Sequence, residues 1–286
     1  MRANDLLGLL REAFRNWNKD DAAGMGAALA FYTLFSMAPL LLLVIAISGL
    51  VIGTDTARDL IMTQLTGLLG EKGAGAVQSL LQAADNRTEG FVAASVSLAT
   101  VVLGATSVFA ELRKDLDKIW KHEAVATGGL LATVLARVFS FGLVLTIGFL
   151  LMVSLAMSAA VSALGTYWAG GFPIVLRGLD FFVSFVVITG LFAMIYKILP
   201  SVRLEWSDVW IGAAATSLLF WIGKWLIGLY LAKSAVASPF GAAGTLVVVI
   251  LWVYYSAQIF FFGAEFTKAY AVRRGSVAAS APRVKG

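Results

Sequence analysis

From Gly244 to Ala264 the chain carries no charged residue. Coiled as a helix at ~1.5 Å per residue, that run is ~30 Å long, the thickness of a bilayer's hydrocarbon core. A soluble fold would have to bury such a helix on every face. Five further long apolar stretches repeat the pattern, and charged residues make up only 14% of the 286, against about 25% in a typical soluble domain. The expected fold is therefore all-α, a polytopic membrane bundle of six transmembrane helices with interfacial amphipathic helices. Strands are excluded by segment length, since a membrane strand needs only ~9–11 residues of alternating polarity.

The spans are expected near Ala27–Gly53, Phe91–Ala110, Val138–Ala163, Ile174–Leu199, Trp210–Leu231 and Gly244–Phe266. Basic residues set their orientation. Fifteen lie in four segments that alternate spans place on one side: Arg2 to Lys19, Arg113 to Lys121, Lys197 with Arg203, and Lys268 to Lys285. Five lie on the other side, and Arg137 and Lys224 fall in or near spans. This asymmetry, not nucleic-acid binding, accounts for the net charge of +5. It places both termini in the cytoplasm, which requires an even number of spans. The N-terminus lacks the features of a cleaved signal peptide, so the first span is expected to direct insertion. With no Cys, disulfides and thiolate chemistry are excluded.

Domain organisation follows. Residues 1–26 are expected to form a cytoplasmic interfacial helix, with Leu6, Leu7, Leu10, Phe14 and Trp17 recurring at helical spacing opposite Arg11, Arg15 and Lys19. A second such helix is expected around Leu112, Leu116, Ile119 and Trp120. Residues 27–270 form the membrane domain. Within it, residues 54–90 make an outer helical hairpin hinged at Gly70, Gly73 and Gly75, which either caps the bundle or lies at the outer interface. Residues 271–286 read as a disordered basic tail.

Candidate functional residues are those that are expensive in a membrane. Lys224, in the fifth span, costs ~2.5–3.5 kcal/mol at a bilayer centre on insertion scales. It either snorkels to the outer interface or joins a polar pathway, and Ser217 shares its face. In the sixth span Tyr255, Gln258 and Glu265 form a polar stripe with Tyr254. They either line a cavity or bond neighbouring helices, and Glu265 marks the cytoplasmic end. Pro39 deprives the first span of one backbone donor and kinks or splits it, with Ser36 and Thr33 able to satisfy freed carbonyls. Gly49-x-x-x-Gly53 and Gly212 to Thr216 permit close helix approach. The only His, His122, reads as solvated. No metal site, phosphate-binding glycine loop or nucleophile elbow is visible, so no cofactor and no enzymatic activity are expected.

Three stretches resemble the YihY/virulence factor BrkB family of bacterial inner-membrane proteins. They are Ala28-Leu-Ala-Phe-Tyr-Thr-Leu-Phe-Ser-Met-Ala-Pro-Leu40, the turn from Leu199-Pro200 to Trp206, and the segment from Gly241-Ala-Ala-Gly-Thr-Leu through Leu251-Trp-Val-Tyr-Tyr-Ser-Ala-Gln258 to Gly263-Ala-Glu265. Phe240 stands where the family pattern has Tyr, so no role for that hydroxyl carries over. The resemblance implies a six-span inner-membrane protein. A ribonuclease BN label attached to some members finds no metal-ligand set here, and no nucleic-acid partner is expected. Family associations with envelope integrity imply a transporter-like protein handling a lipid or other amphipathic component. The alternative is a non-transporting scaffold for partner envelope proteins. Membrane lipids, and a second copy or partner membrane proteins, are the partners expected.

Overall fold

The computed structural model describes residues 3–85, 107–121, 173–202, 204–233 and 244–276. Among these the chain is helical, in seven helices: α1 (Ala3–Lys19), α2 (Ala22–Ile52), α3 (Thr54–Asp85), α4 (107–119), α5 (Pro173–Ile198), α6 (Trp206–Lys233) and α7 (Gly244–Arg274). Three of them contain stretches long and apolar enough to cross a membrane, Phe181–Ile198, Trp206–Tyr230 and Leu246–Arg274. In α2 a shorter apolar stretch runs over Ala22–Met37. The spans expected near Phe91–Ala110 and Val138–Ala163 lie outside the described residues, apart from 107–110, as do His122, Arg137 and Phe240.

Helix α7 is the hub. It packs on α1, α2, α3 and α6, while α5 packs on α6. Its 31 residues extend ~46 Å, well beyond the ~30 Å core, so its basic last turns project past the apolar layer. Helices α6 and α7 run antiparallel and touch closely at two reciprocal points. A Cβ at Gly212 would overlap the Thr267 side chain, and a Cβ at Gly263 would overlap Thr216. Each glycine thus admits a threonine of the other helix, and each threonine hydroxyl donates to a carbonyl one turn back on its own helix, at 2.7 Å. The expectation of close approach at Gly212–Thr216 is met inside the bundle. Gly49 and Gly53 serve differently from the reading of a helix-packing motif. Gly53, at φ 85°, ends α2 and turns the chain into α3, and Gly49 leaves room for Thr54 beside it.

Other expectations are corrected by packing. Helix α2 continues as one helix through Pro39, so the span is not split there. Buried Ser36 donates its hydroxyl to Thr33 O at 3.2 Å, not to the Phe35 carbonyl that Pro39 leaves without a donor. The apolar face of α4 does not lie on a membrane surface: Leu112, Leu116, Ile119 and Trp120 are buried in the main core with Tyr196, Leu199 and Phe261. In α1 the packed face is Leu9 and Ala13, set against Phe266 and Ala269. Leu6, Leu7 and Phe14 are exposed beside Arg11 and Arg15. Helix α3 breaks at Gly70 (φ 74°, ψ 173°), the first of the hinge glycines. Beyond it Ala76, Val77 and Leu81 pack with Ala30, Ile45, Val249 and Val253.

Candidate functional site

Four basic segments, far apart in sequence, meet at one end of the bundle. On α7, Arg273 donates to Glu12 Oε2 (3.1 Å) and to the Asp5 carbonyl on α1. Arg274 lies 3.4 Å from Asp208 at the start of α6, which also accepts from the Ser276 hydroxyl. Asp117 on α4 accepts from the Ser201 amide (2.6 Å) and hydroxyl (2.8 Å), and Arg113 donates to the same hydroxyl. Lys197 donates to Leu204 O and lies over the Trp206 ring. These are the segments that the count of Lys and Arg assigned to one membrane side.

Nearby, the chain turns sharply between α1 and α2. Asp21 adopts the left-handed conformation and caps α2 by accepting from Gly24 N at 3.2 Å. An Asp tolerates that backbone because its short polar side chain bonds locally. Asp20, beside it, faces inward. Lys268 Nζ lies 3.7 Å from Asp20 Oδ2 and 3.6 Å from Glu265 Oε2. Glu265 is completely buried, and among the described residues none of these three charged groups has a hydrogen bond at its facing atoms. The sequence singled out Glu265 alone. Lys268, at i+3, was the available signal, whereas nothing local marked Asp20.

The other expected site residues are divided by the fold. Tyr255 and Gln258 line a groove of about 280 Å³, together with Phe14 and Trp17 of α1, Leu219, Ile222, Gly223 and Leu226 of α6, and Ile259 and Phe262 of α7. Among the described residues its lining carries no charged side chain. Gly223 allows the close approach of Tyr255, whose ring atom Cε1 lies 3.0 Å from where a Cβ would be. Gln258 Nε2 donates to Ala22 O (3.3 Å), while its Oε1 is buried without a partner. Ser217 is buried and bonded to Ala213 O of its own helix. Lys224 is exposed, flanked by exposed Trp221 and Trp225, and does not line the groove.

Asp115, on α4, is also a buried carboxyl. Its Oδ2 has no partner, and burial, reinforced by neighbouring Glu111, pushes it up to about 6 from 3.8. Between those values the folded chain retains a proton that the unfolded chain has lost. Stability therefore falls as pH rises from 3.8 to about 6 and stays reduced above. Asp115→Asn is expected to raise the melting temperature in detergent above about pH 6, with the gain shrinking toward about pH 4.

This arrangement is that of a polytopic helical membrane protein, with an open apolar groove and a charged end. The profile of the virulence factor BrkB family matches residues 13–285. The chain belongs to that family. Relatives include UPF0761 membrane proteins of Rhodospirillum centenum (27% identical, 93% of this chain and 58% of the relative) and Aeromonas salmonicida (30%, 63% and 62%). A Vibrio vulnificus relative is 23% identical over 95% of this chain and 85% of its own length. The chain thus spans less than two thirds of several curated relatives it matches, 58% and 64% for two of them. Their names denote membrane proteins and no reaction. No solved structure matches the chain.

Proposed function

We propose that this is a six-span protein of the bacterial inner membrane, with both ends in the cytoplasm, that handles a membrane lipid or a similar amphipathic envelope component. The observation that carries the reading is the groove between α1, α6 and α7. It is open, apolar almost throughout, and has a Tyr hydroxyl and a Gln amide within it. A lipid chain can leave the bilayer for such a groove without entering water, while Tyr255 and Gln258 offer polar contact at depth. Exposed Leu6, Leu7 and Phe14 on α1, next to Arg11 and Arg15, suit contact with an anionic leaflet. The exposure of Lys224 between two Trp side chains favours snorkelling over a place in the pathway.

The scaffold alternative relied on small-residue faces free for partners. Gly49 and Gly53 are used in the α2–α3 turn, and Gly212 and Thr216 in the α6–α7 crossing, which weakens that alternative. Reconstituted vesicles containing fluorescent anionic or zwitterionic lipid test the proposal. Protein-containing vesicles are expected to exchange lipid between leaflets faster than empty ones. Ile222→Trp, which fills the groove from an exposed position, is expected to slow exchange roughly tenfold, equivalent to ~1.4 kcal/mol on the limiting step, without lowering the melting temperature. Equal rates with and without protein for every lipid contradict lipid handling.

A further inference from the structure

We propose that Asp20, Lys268 and Glu265 form a proton-binding site, in which one proton held between two carboxyl groups supplies the positive charge that a single ammonium leaves lacking. The reasoning begins with a charge count. Two carboxyls face one Lys268 ammonium at 3.6 and 3.7 Å. With every group ionised, the cluster carries one net negative charge. Glu265 is wholly buried, and the side chains of Asp20 and Lys268 are 14% and 11% exposed. Among the described residues, no hydrogen bond reaches Glu265 Oε1, Glu265 Oε2 or Asp20 Oδ2. An uncompensated buried carboxylate with no donor is among the most unfavourable arrangements in a folded protein, and protonation relieves it. Two carboxyls sharing a site hold a proton between them for the same reason.

Among the described residues, no other charged group supplies the balance. Lys268 and Asp20 are the charged groups that act on Glu265. Around them, Asp21 is exposed and caps Gly24, Glu12 is taken by Arg273, Asp208 by Arg274 and Ser276, and Asp117 by Arg113 and Ser201. Lys197 is directed to Leu204 O and Trp206. The proton comes from water at the basic end and returns there, binding to a carboxylate oxygen with no other bond made or broken. Its position matters because Asp20 belongs to the corner between α1 and α2, and the first carbonyl of α2, that of Ala22, accepts from Gln258 in the groove. Proton binding thereby bears on how this corner docks against α7.

Infrared difference spectroscopy of the full chain in detergent tests this without requiring any transport, so its outcome is separate from that of the lipid reading. It is done in an Asp115→Asn background, because burial raises the Asp115 carboxyl to about 6 and its own proton would add to the signal. At about pH 7, where exposed carboxyls have long been ionised, a protonated-carboxyl band is expected. Charge balance makes a sharper demand. Either Glu265→Gln or Asp20→Asn leaves one carboxylate for one ammonium, so each alone is expected to abolish the band. Both amides preserve side-chain shape, and circular dichroism verifies folding. Absence of the band in the parent chain overturns the proposal by itself. Survival of the band in either folded variant also overturns it, because the proton then belongs to one carboxyl or to another site.

Discussion

Lys268→Met is expected to destabilise the protein by about 3–5 kcal/mol at neutral pH, the usual result of removing one partner from a buried ionic group. The Met side chain fills much the same space, so lost packing contributes little. What remains is two carboxyls, Asp20 and Glu265, with no cation between them. Adding both Glu265→Gln and Asp20→Asn in the same chain removes the stranded charge and is expected to recover most of the loss. The gain in the triple variant over the single distinguishes charge from packing, because both amides leave side-chain volume nearly unchanged. Thermal melts of the parent chain, the single variant and the triple variant in one detergent at one pH provide the measurement. Lowering the pH is expected to rescue Lys268→Met partially, as protonation replaces the missing cation.

Gly263→Ala is expected to be damaging for a steric reason. The added methyl overlaps Thr216 and comes within 2.6 Å of the Tyr196 hydroxyl. That hydroxyl is buried, donates to Phe260 O at 2.7 Å, and lies 3.2 Å from Thr216 Oγ1. Helices α5, α6 and α7 must therefore separate, or Tyr196 must lose its bond. Overpacking together with a lost buried hydrogen bond costs about 3 kcal/mol. Gly228→Ala is the contrasting case on α6, where a Cβ meets nothing within 4 Å. In a helix interior that change favours folding by up to ~1 kcal/mol. Melting temperatures that fall for the first and hold or rise for the second show that the crossing, not helix propensity, governs the response.

Some helix boundaries follow the apolar stretches closely: α5 occupies Pro173–Ile198 against an expected Ile174–Leu199, and α7 begins at the expected Gly244, but it runs on to Arg274, past the expected Phe266, because its last turns pack against the rest of the bundle. Gly70 was readable as a hinge because glycine alone readily takes φ 74°. The environment of an apolar face was less readable. A stripe such as Leu112, Leu116 and Ile119 has the same period whether it meets lipid headgroups or, as here, a protein core. Rotation was also hidden. Helix α6 is apolar nearly all round, so no polar face indicated that Lys224 points outward while Gly223 points in. Polar pairing across long sequence separations, as between Asp20 and Lys268, leaves no local pattern to read. The polar residues of α7 read as one stripe in the sequence, yet the fold sends Tyr255 and Gln258 to the groove and Glu265 to the charged cluster.

Because the chain contains no Cys, its sidedness can be measured one introduced thiol at a time with a membrane-impermeant label. Lys19→Cys, Lys121→Cys, Glu205→Cys and Ser276→Cys sample the basic end, and Asp55→Cys samples the far end of α2. If the basic end faces the cytoplasm, the first four are labelled in inverted vesicles and protected in intact spheroplasts, and Asp55→Cys shows the reverse. Labelling of Lys19→Cys and Ser276→Cys from opposite sides contradicts an even number of spans, and with it the gathering of these segments at one membrane face.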